Sequence, residues 1–390
     1  MIDRERTMKD SYTLIENAEL VLECGIMWDA DLLIKDGVIV DYGKHGTLDV
    51  PHGARKIDAE GNYVGPGFID IHVHGGGGYS ICHETREAAD FFLSHGETTV
   101  LATPDYTMPY NEFLSSVKEI KEALPEAKNV RGLYLEGPYM NPKYGAYANN
   151  NPWRHPIDVD EYKSLVDEAG VLARVWAIAP EREGLIPFLQ YAREVNPDVI
   201  FALGHSEALP EEIEALGKYK PTLQTHSTNA TGRKTGGFGV RGCGPDEYSL
   251  TTPEMYTELI SDSLGIHVKS EWQRLILRAK GVDRVILITD STVSECPNPP
   301  KYAHVTDLNY DEDGNIAGSK ITLDLACKNV MSHTPIGIAE AFRMASTNPA
   351  RLLGIQNERG SIERGKAADL VIVNDRFDIK RVLLGGEVVK

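Results

Sequence analysis

The sequence predicts an α/β fold: a (β/α)8 TIM barrel carrying a small β-sandwich domain formed from both chain ends. Three observations lead there. Short apolar runs recur eight times through the middle of the chain, most of them followed by a polar stretch of helical period. The first ~65 residues and the last stretch instead alternate strand and turn. At 390 residues the chain exceeds one compact core and falls short of three domains. The expected division is residues 1–65 plus 352–390 for the β domain and 66–351 for the barrel.

Taken in order, the N-terminal strands are expected at Tyr12–Leu22, Asp31–Ile34, Gly37–Val40 and Lys56–Asp58, with turns at Gly37 and at Asp41–Gly43. The barrel runs read FIDIHVH, TTVLATP, VRGLYLEGP, RVWAIAP, VIFALGH, TLQTH, ELISDSLGIHV and RVILITD. Between them, Glu112–Leu124, Val159–Glu168, Leu185–Glu194 and Glu271–Ala279 have helical patterning. A doubly wound open sheet is the rival architecture, but the first strand is not followed by the GxGxxG form of Gly-rich turn. The closing segments AADLVIVN and RVLLGGEVVK return to strand character, and chain ends lie close enough in most domains to share a sheet.

Composition narrows the function. With 40 basic and 58 acidic residues the net charge is −18, which repels phosphate backbones and anionic lipid. Nucleic acid and membrane are therefore poor partners, while a small anion held by a few local basic groups stays compatible. The five cysteines, Cys24, Cys82, Cys243, Cys296 and Cys327, show no CxxC spacing. The N-terminus MIDRERTMKDSY lacks the apolar core of a signal peptide. The expectation is a soluble, cytoplasmic protein.

Chemistry-bearing residues gather at the C-terminal ends of the apolar runs: His72 and His74, Glu136, His205, His226 and Asp290. Barrel strands open onto one face at those ends. The two-residue spacing of His72 and His74 directs both imidazoles to the same side of a strand. Singly, each has a bland explanation: a packed histidine, a turn carboxylate, a cap. Together they form a nest for Zn²⁺ or another first-row divalent ion.

On these residues the sequence resembles the amidohydrolase superfamily and, within it, the deacetylases of N-acetylglucosamine 6-phosphate. PGFIDIHVHGGGG, LEGPYMNPKYGA, LGHSEA, THSTNA, the TD of LITDS, IAGSKITLD, ASTNPARLLGI and GSIERGKAADLVIVN carry the resemblance, in the family's order, from Asn62 to Asn374. It implies Glu136, His205 and His226 as the main metal ligands and His72 and His74 as ligands of a second ion. The cofactor is then one or two divalent ions, Zn²⁺ first and Fe²⁺ or Mn²⁺ as alternatives. Strand four, LARVWAIAP, has no lysine to serve as the carboxylated bridge of other members. Asp290 is implied as the catalytic general base and then acid. A metal-held water of lowered pKa would attack the amide carbonyl.

The resemblance further implies Asn229, Ala230 and Arg233, seconded by Lys234, for the sugar phosphate, and His267 for the sugar. Arg233 would reach across a homodimer. The chain departs from the family near the ligand. Tyr147 stands where a histidine is usual, Thr231 replaces a methionine, Ser291 replaces an alanine, and SDSLGIHV carries extra residues. The expected reaction is hydrolysis of the acetamide of an N-acetylhexosamine 6-phosphate in amino-sugar catabolism. The alternatives are another N-acyl amino sugar or a cyclic amide, and a non-catalytic metal-binding scaffold. Two glycine patterns are set aside: Gly237–Gly242 fits GxGxxG without a flanking strand and helix, and Gly75–Gly78 lacks the P-loop lysine.

Overall fold

Each of the eight apolar runs becomes one strand of a parallel barrel, and the strands neighbour one another in chain order. The computed structural model describes residues 11–233, 239–294 and 296–390. The strands span Phe68–Val73, Glu97–Ala102, Val130–Leu135, Ala173–Ile178, Ile200–Leu203, Leu223–Gln224, Tyr256–Leu259 and Val285–Leu287. Barrel strands are covered inside by one another and outside by helices, so they read as unbroken apolar runs rather than alternating ones. The first two are buried at every position. Helices at Thr85–Ser94, Tyr110–Ala123, Val159–Ala169, Leu185–Val195, Ser270–Lys280 and Leu323–His333 form much of the outer layer. All four helices expected from the sequence are present, each within about two residues of its expected ends.

The ring closes between strands one and eight, beside the chemistry-bearing residues. The Asp290 N–H donates to the His72 carbonyl at 3.0 Å, and the N–H groups of His74 and Gly75 donate to the Ser291 carbonyl at 2.8 and 3.0 Å. The buried Asp70 carboxylate spans the same seam, accepting from the His72 and Thr289 N–H groups at 3.0 and 3.1 Å.

Both chain ends contribute to the second large sheet. Its order is Glu387–Val388, Ile379–Leu384, Leu370–Val373, Tyr63–Pro66, Tyr12–Leu22, Gly25–Lys35 and Val38–Lys44, and Arg55–Asp58 pairs with Tyr12–Leu22 on a fork. The join between the ends is antiparallel, with Leu370 opposite Pro66 and Val373 opposite Tyr63. Ile15, Leu20, Leu32, Ile34, Ile57, Leu370 and Leu383 fill its core. One expectation is corrected here. Asp41–Gly43 is no turn but lies within Val38–Lys44, paired to Leu33 through Asp31, because the ladder with the neighbouring strand outweighs local turn preference.

Three rings pin the small sheet to the barrel: Phe68 at the start of strand one, Phe342 on the helix Ile338–Phe342, and Phe377 from the C-terminal sheet. Their centroids lie 5.4, 6.3 and 5.3 Å apart. All three are buried. No helix among the described residues is long and apolar enough to cross a membrane. The five cysteines are unpaired. Truncating Phe342 to alanine leaves a cavity between the two sheets and is expected to cost about 3–5 kcal/mol of stability, read by urea unfolding, with the metal content of the folded fraction unchanged.

Candidate metal centre and active site

Strand ends bring Glu136 to the centre of four imidazoles. Its Oε1 lies 3.1 Å from His205 Nε2 and 3.0 Å from His226 Nε2, and those two nitrogens are 3.1 Å apart. Its Oε2 lies 3.2 Å from His74 Nε2 and 3.7 Å from His72 Nε2. Each oxygen thus serves one pair of histidines. Asp290 completes the second group, with Oδ1 3.3 Å from His74 Nε2 and 3.8 Å from His72 Nε2.

Local backbone geometry aims these side chains. His205, His226 and Asp290 all have positive φ, at 45°, 20° and 48°. A side chain pays for that region of backbone space unless surrounding structure enforces it, and such outliers gather at functional sites. Gly145, at φ +99°, lets the loop after strand three pass over His205, since a Cβ there would meet the ring at 2.6 Å. His205 Nδ1 is engaged by the Tyr144 carbonyl at 3.2 Å, which leaves Nε2 turned toward Glu136 and His226.

The donor set fits a divalent ion. Two groups of three, Glu136 with His205 and His226, and Glu136 with His72 and His74, hold their ligand atoms within 4.8 Å of one another. Nitrogen and carboxylate oxygen at 3.0–3.1 Å spacing can all touch one small ion at the roughly 2.0–2.2 Å of a Zn–N or Zn–O bond. His72 Nε2 is buried and has no hydrogen-bond partner, as a ligand nitrogen would be.

Burial and mutual pairing set the charges. Burial pushes the Glu136 carboxyl up, but the facing imidazoles outweigh it and hold the group well below the usual carboxylate range. Asp290 behaves alike: burial raises it, and His74 and His72 bring it below its ordinary value. Both carboxylates are therefore anionic at neutral pH. His267 goes the other way, lowered to about 4 by burial, so its ring is neutral.

Above the nest lies a cavity of about 280 Å³. His74, Glu136, His205, His226, Asp290, Asn229, Ala230, His267 and Tyr147 all line it. Asn229 Nδ2 donates to the His267 carbonyl at 3.0 Å, which joins two of the expected sugar contacts. Tyr147 presents its hydroxyl 3.8 Å from Cys296 Sγ. Arg233 is not among the lining residues; it is half-exposed and pairs with Glu247 at 3.5 Å. Lys234, Gly237 and Phe238 lie outside the described residues. Gly75–Gly76 pairs with Tyr79–Ser80 as a short hairpin directly after His74.

Residues beyond the sequence expectation also converge here. Asp105 and Tyr106 follow strand two, and Asn315–Gly318 come from a hairpin after strand eight. Glu258, on strand seven, is fully buried and faces His72. Ile316–Gly318 belong to the IAGSKITLD segment that carries part of the resemblance, and Glu258 left a trace as a carboxylate inside the apolar run ELI.

The chain belongs to the amidohydrolase family, whose model matches residues 63–389; its members are metal-dependent hydrolases. More closely, it is similar to the N-acetylglucosamine-6-phosphate deacetylase of Haemophilus influenzae, at 29% identity over 96% of this chain and 98% of that protein. It is similar as well to the N-acetylgalactosamine-6-phosphate deacetylase of Escherichia coli O157:H7, at 28% identity over 95% and 97%. The crystal structure of N-acetylglucosamine-6-phosphate deacetylase from Pasteurella multocida superposes with a TM-score of 0.83 at 26% identity, covering 97% of this chain and 99% of that one.

Glu136→Ala is expected to strip both donor groups at once. Elemental analysis of the purified variant should find divalent metal well below the wild-type content, while far-UV circular dichroism stays unchanged.

Proposed function

We propose that the protein hydrolyses the acetamide of an N-acetylhexosamine 6-phosphate, with N-acetylglucosamine 6-phosphate giving glucosamine 6-phosphate and acetate. The observation that carries this reading is the placement of the anionic Asp290 against His74, at the floor of the cavity and beside the two donor groups. A purely structural metal site is closed and has no use for a free carboxylate on its open side. The deacetylase relatives supply the amide and the sugar phosphate.

In this reading Glu136, His205 and His226 would hold one divalent ion, and His72 and His74 with Glu136 would hold a second. Zn²⁺ is the expected occupant, and Fe²⁺ or Mn²⁺ suit the same donors. A bound ion would supply Lewis acidity to the amide oxygen and would acidify water. Asp290 takes a proton from the attacking water. Once the water oxygen has bonded to the amide carbon, Asp290 returns that proton to the nitrogen as the C–N bond breaks. One carboxylate serves both steps because they are sequential. His267, neutral and buried, orients the sugar, and Asn229 and Ala230 face the phosphate end. Tyr147, at the cavity wall, reads the sugar or the acyl group.

The cavity lining contains no lysine or arginine among the described residues. That supports a homodimer in which the half-exposed Arg233 of one protomer approaches the phosphate in its partner. It equally favours a second reading, an unphosphorylated N-acyl amino sugar in the same site. The domain division proposed with this function is residues 1–65 plus 352–390 and residues 66–351.

Acetate release measured across phosphorylated and unphosphorylated N-acetylhexosamines, with added Zn²⁺, Fe²⁺ or Mn²⁺, decides between them; release from none of the sugars would sink both. Asp290→Asn is expected to lower kcat by roughly 10²–10⁴-fold with near-normal metal content. Arg233→Ala should raise KM for phosphorylated sugars alone, and an equal rise for both kinds would remove it from the phosphate.

A further inference from the structure

Glu258 sits on the inner side of barrel strand seven with no exposed surface. A carboxylate in such a place costs several kcal/mol to desolvate unless close partners compensate it. The partners recorded here are specific. One oxygen, Oε2, lies 3.2 Å from His72 Nδ1 and accepts from the His226 N–H at 2.9 Å. The backbone joins in, because the Ser227 N–H donates to the Glu258 carbonyl at 3.0 Å.

These contacts reach both donor groups at once. Oε2 already accepts from the His226 N–H, so in a ligating His72 the Nδ1 that faces this oxygen carries the hydrogen and the lone pair is presented from Nε2. That nitrogen is the unpartnered one turned toward Glu136 and Asp290. Tyr134 stacks on the same ring with centroids 4.3 Å apart, fixing its plane. On the other side, His226 holds a φ of 20° just past the end of strand six. The hydrogen bonds to Glu258 at His226 and at Ser227 tie this segment to strand seven, and so set where the His226 ring points.

We propose that Glu258 is a positioning residue that fixes the ligand tautomer of His72 and the backbone of His226 through a single oxygen, and so organises both metal-donor groups together. This rests on reading those histidines as metal ligands. Glu258 touches neither substrate nor reacting atoms. Its effect falls on metal affinity and ligand geometry before it falls on turnover. Carboxylates that hold a ligating histidine by its other nitrogen characteristically change metal affinity by 10–100-fold when removed.

Metal-free wild type, Glu258→Gln and Glu258→Leu are titrated with Zn²⁺ by chelator competition, and with Co²⁺ followed by visible absorption. Glutamine keeps an acceptor oxygen in place, whereas leucine fills the space and accepts nothing. The expected result is a roughly 10–100-fold loss of Zn²⁺ affinity in Glu258→Leu with altered Co²⁺ bands. Glu258→Gln should recover most of the affinity and the wild-type band pattern. If the leucine variant fails to fold, Glu258→Ala, which also removes the acceptor, replaces it, and His72→Ala with the double variant His72→Ala/Glu258→Ala completes the test: in the absence of the His72 ring Glu258→Ala should change affinity less than it does alone. Equal affinities and identical Co²⁺ spectra across wild type, glutamine and leucine overturn the role of Glu258 while leaving the metal reading intact. In the second set, an equal effect of Glu258→Ala with and without the His72 ring overturns its hold on the His72 tautomer. A wild type that binds no divalent ion overturns the metal reading, and this inference with it. None of these readouts depends on the identity of the sugar.

Discussion

A buried carboxylate with both oxygens engaged organises the catalytic face of this protein. Glu136 ends barrel strand three almost without solvent contact, and an anion there is unfavourable unless cations or hydrogen-bond donors surround it. Four imidazoles surround it, two near each oxygen, in the arrangement that would hold a cation between them. They come from strands one, five and six, so this anchor requires a closed ring: an open sheet would carry strand one away from strand six. The closure hydrogen bonds from Asp290 to His72 and from His74 to Ser291 stand at the same level of the barrel. The seam that completes the fold also completes the site.

Precision at the nest comes with local backbone cost. Positive φ at His205, His226 and Asp290 is unfavourable for residues with a Cβ, of order 1–3 kcal/mol each. The barrel offsets it by holding the flanking strands rigid and nearly solvent-free. The small sheet contributes from below, through the Phe68–Phe342–Phe377 cluster at the start of strand one. Its distance from the cavity suits a bracing role: it fixes the strand that carries His72 and His74 without adding polar groups to the site.

The overall acidity of the chain takes on meaning at the cavity. The net charge of −18 and a lining that lacks lysine and arginine among the described residues leave the imidazoles and any bound cation as the local positive potential. An anionic sugar must then draw on the metal end of the cavity or on a cation reaching in from outside, and Arg233, half-exposed on the surface, stands free of the lining.

Much of this was written in the residue pattern. Apolar runs of strand length, most of them closing on a histidine or carboxylate, pointed to the barrel and to six residues gathered in the nest, because strand ends in a closed parallel sheet all face one way. The termini were legible as one sheet from their strand character, although the ladder overrode the turn chemistry of Asp41–Gly43. Tertiary structure alone decided which oxygen of Glu136 meets which imidazole, that Glu258 spans His72 and His226, and that Arg233 turns to Glu247 instead of the cavity. Those outcomes depend on groups brought together from as far as 186 residues apart, and on the seam that closes the ring. Local periodicity records which face a residue takes, and the partner it finds there is set only when the barrel shuts.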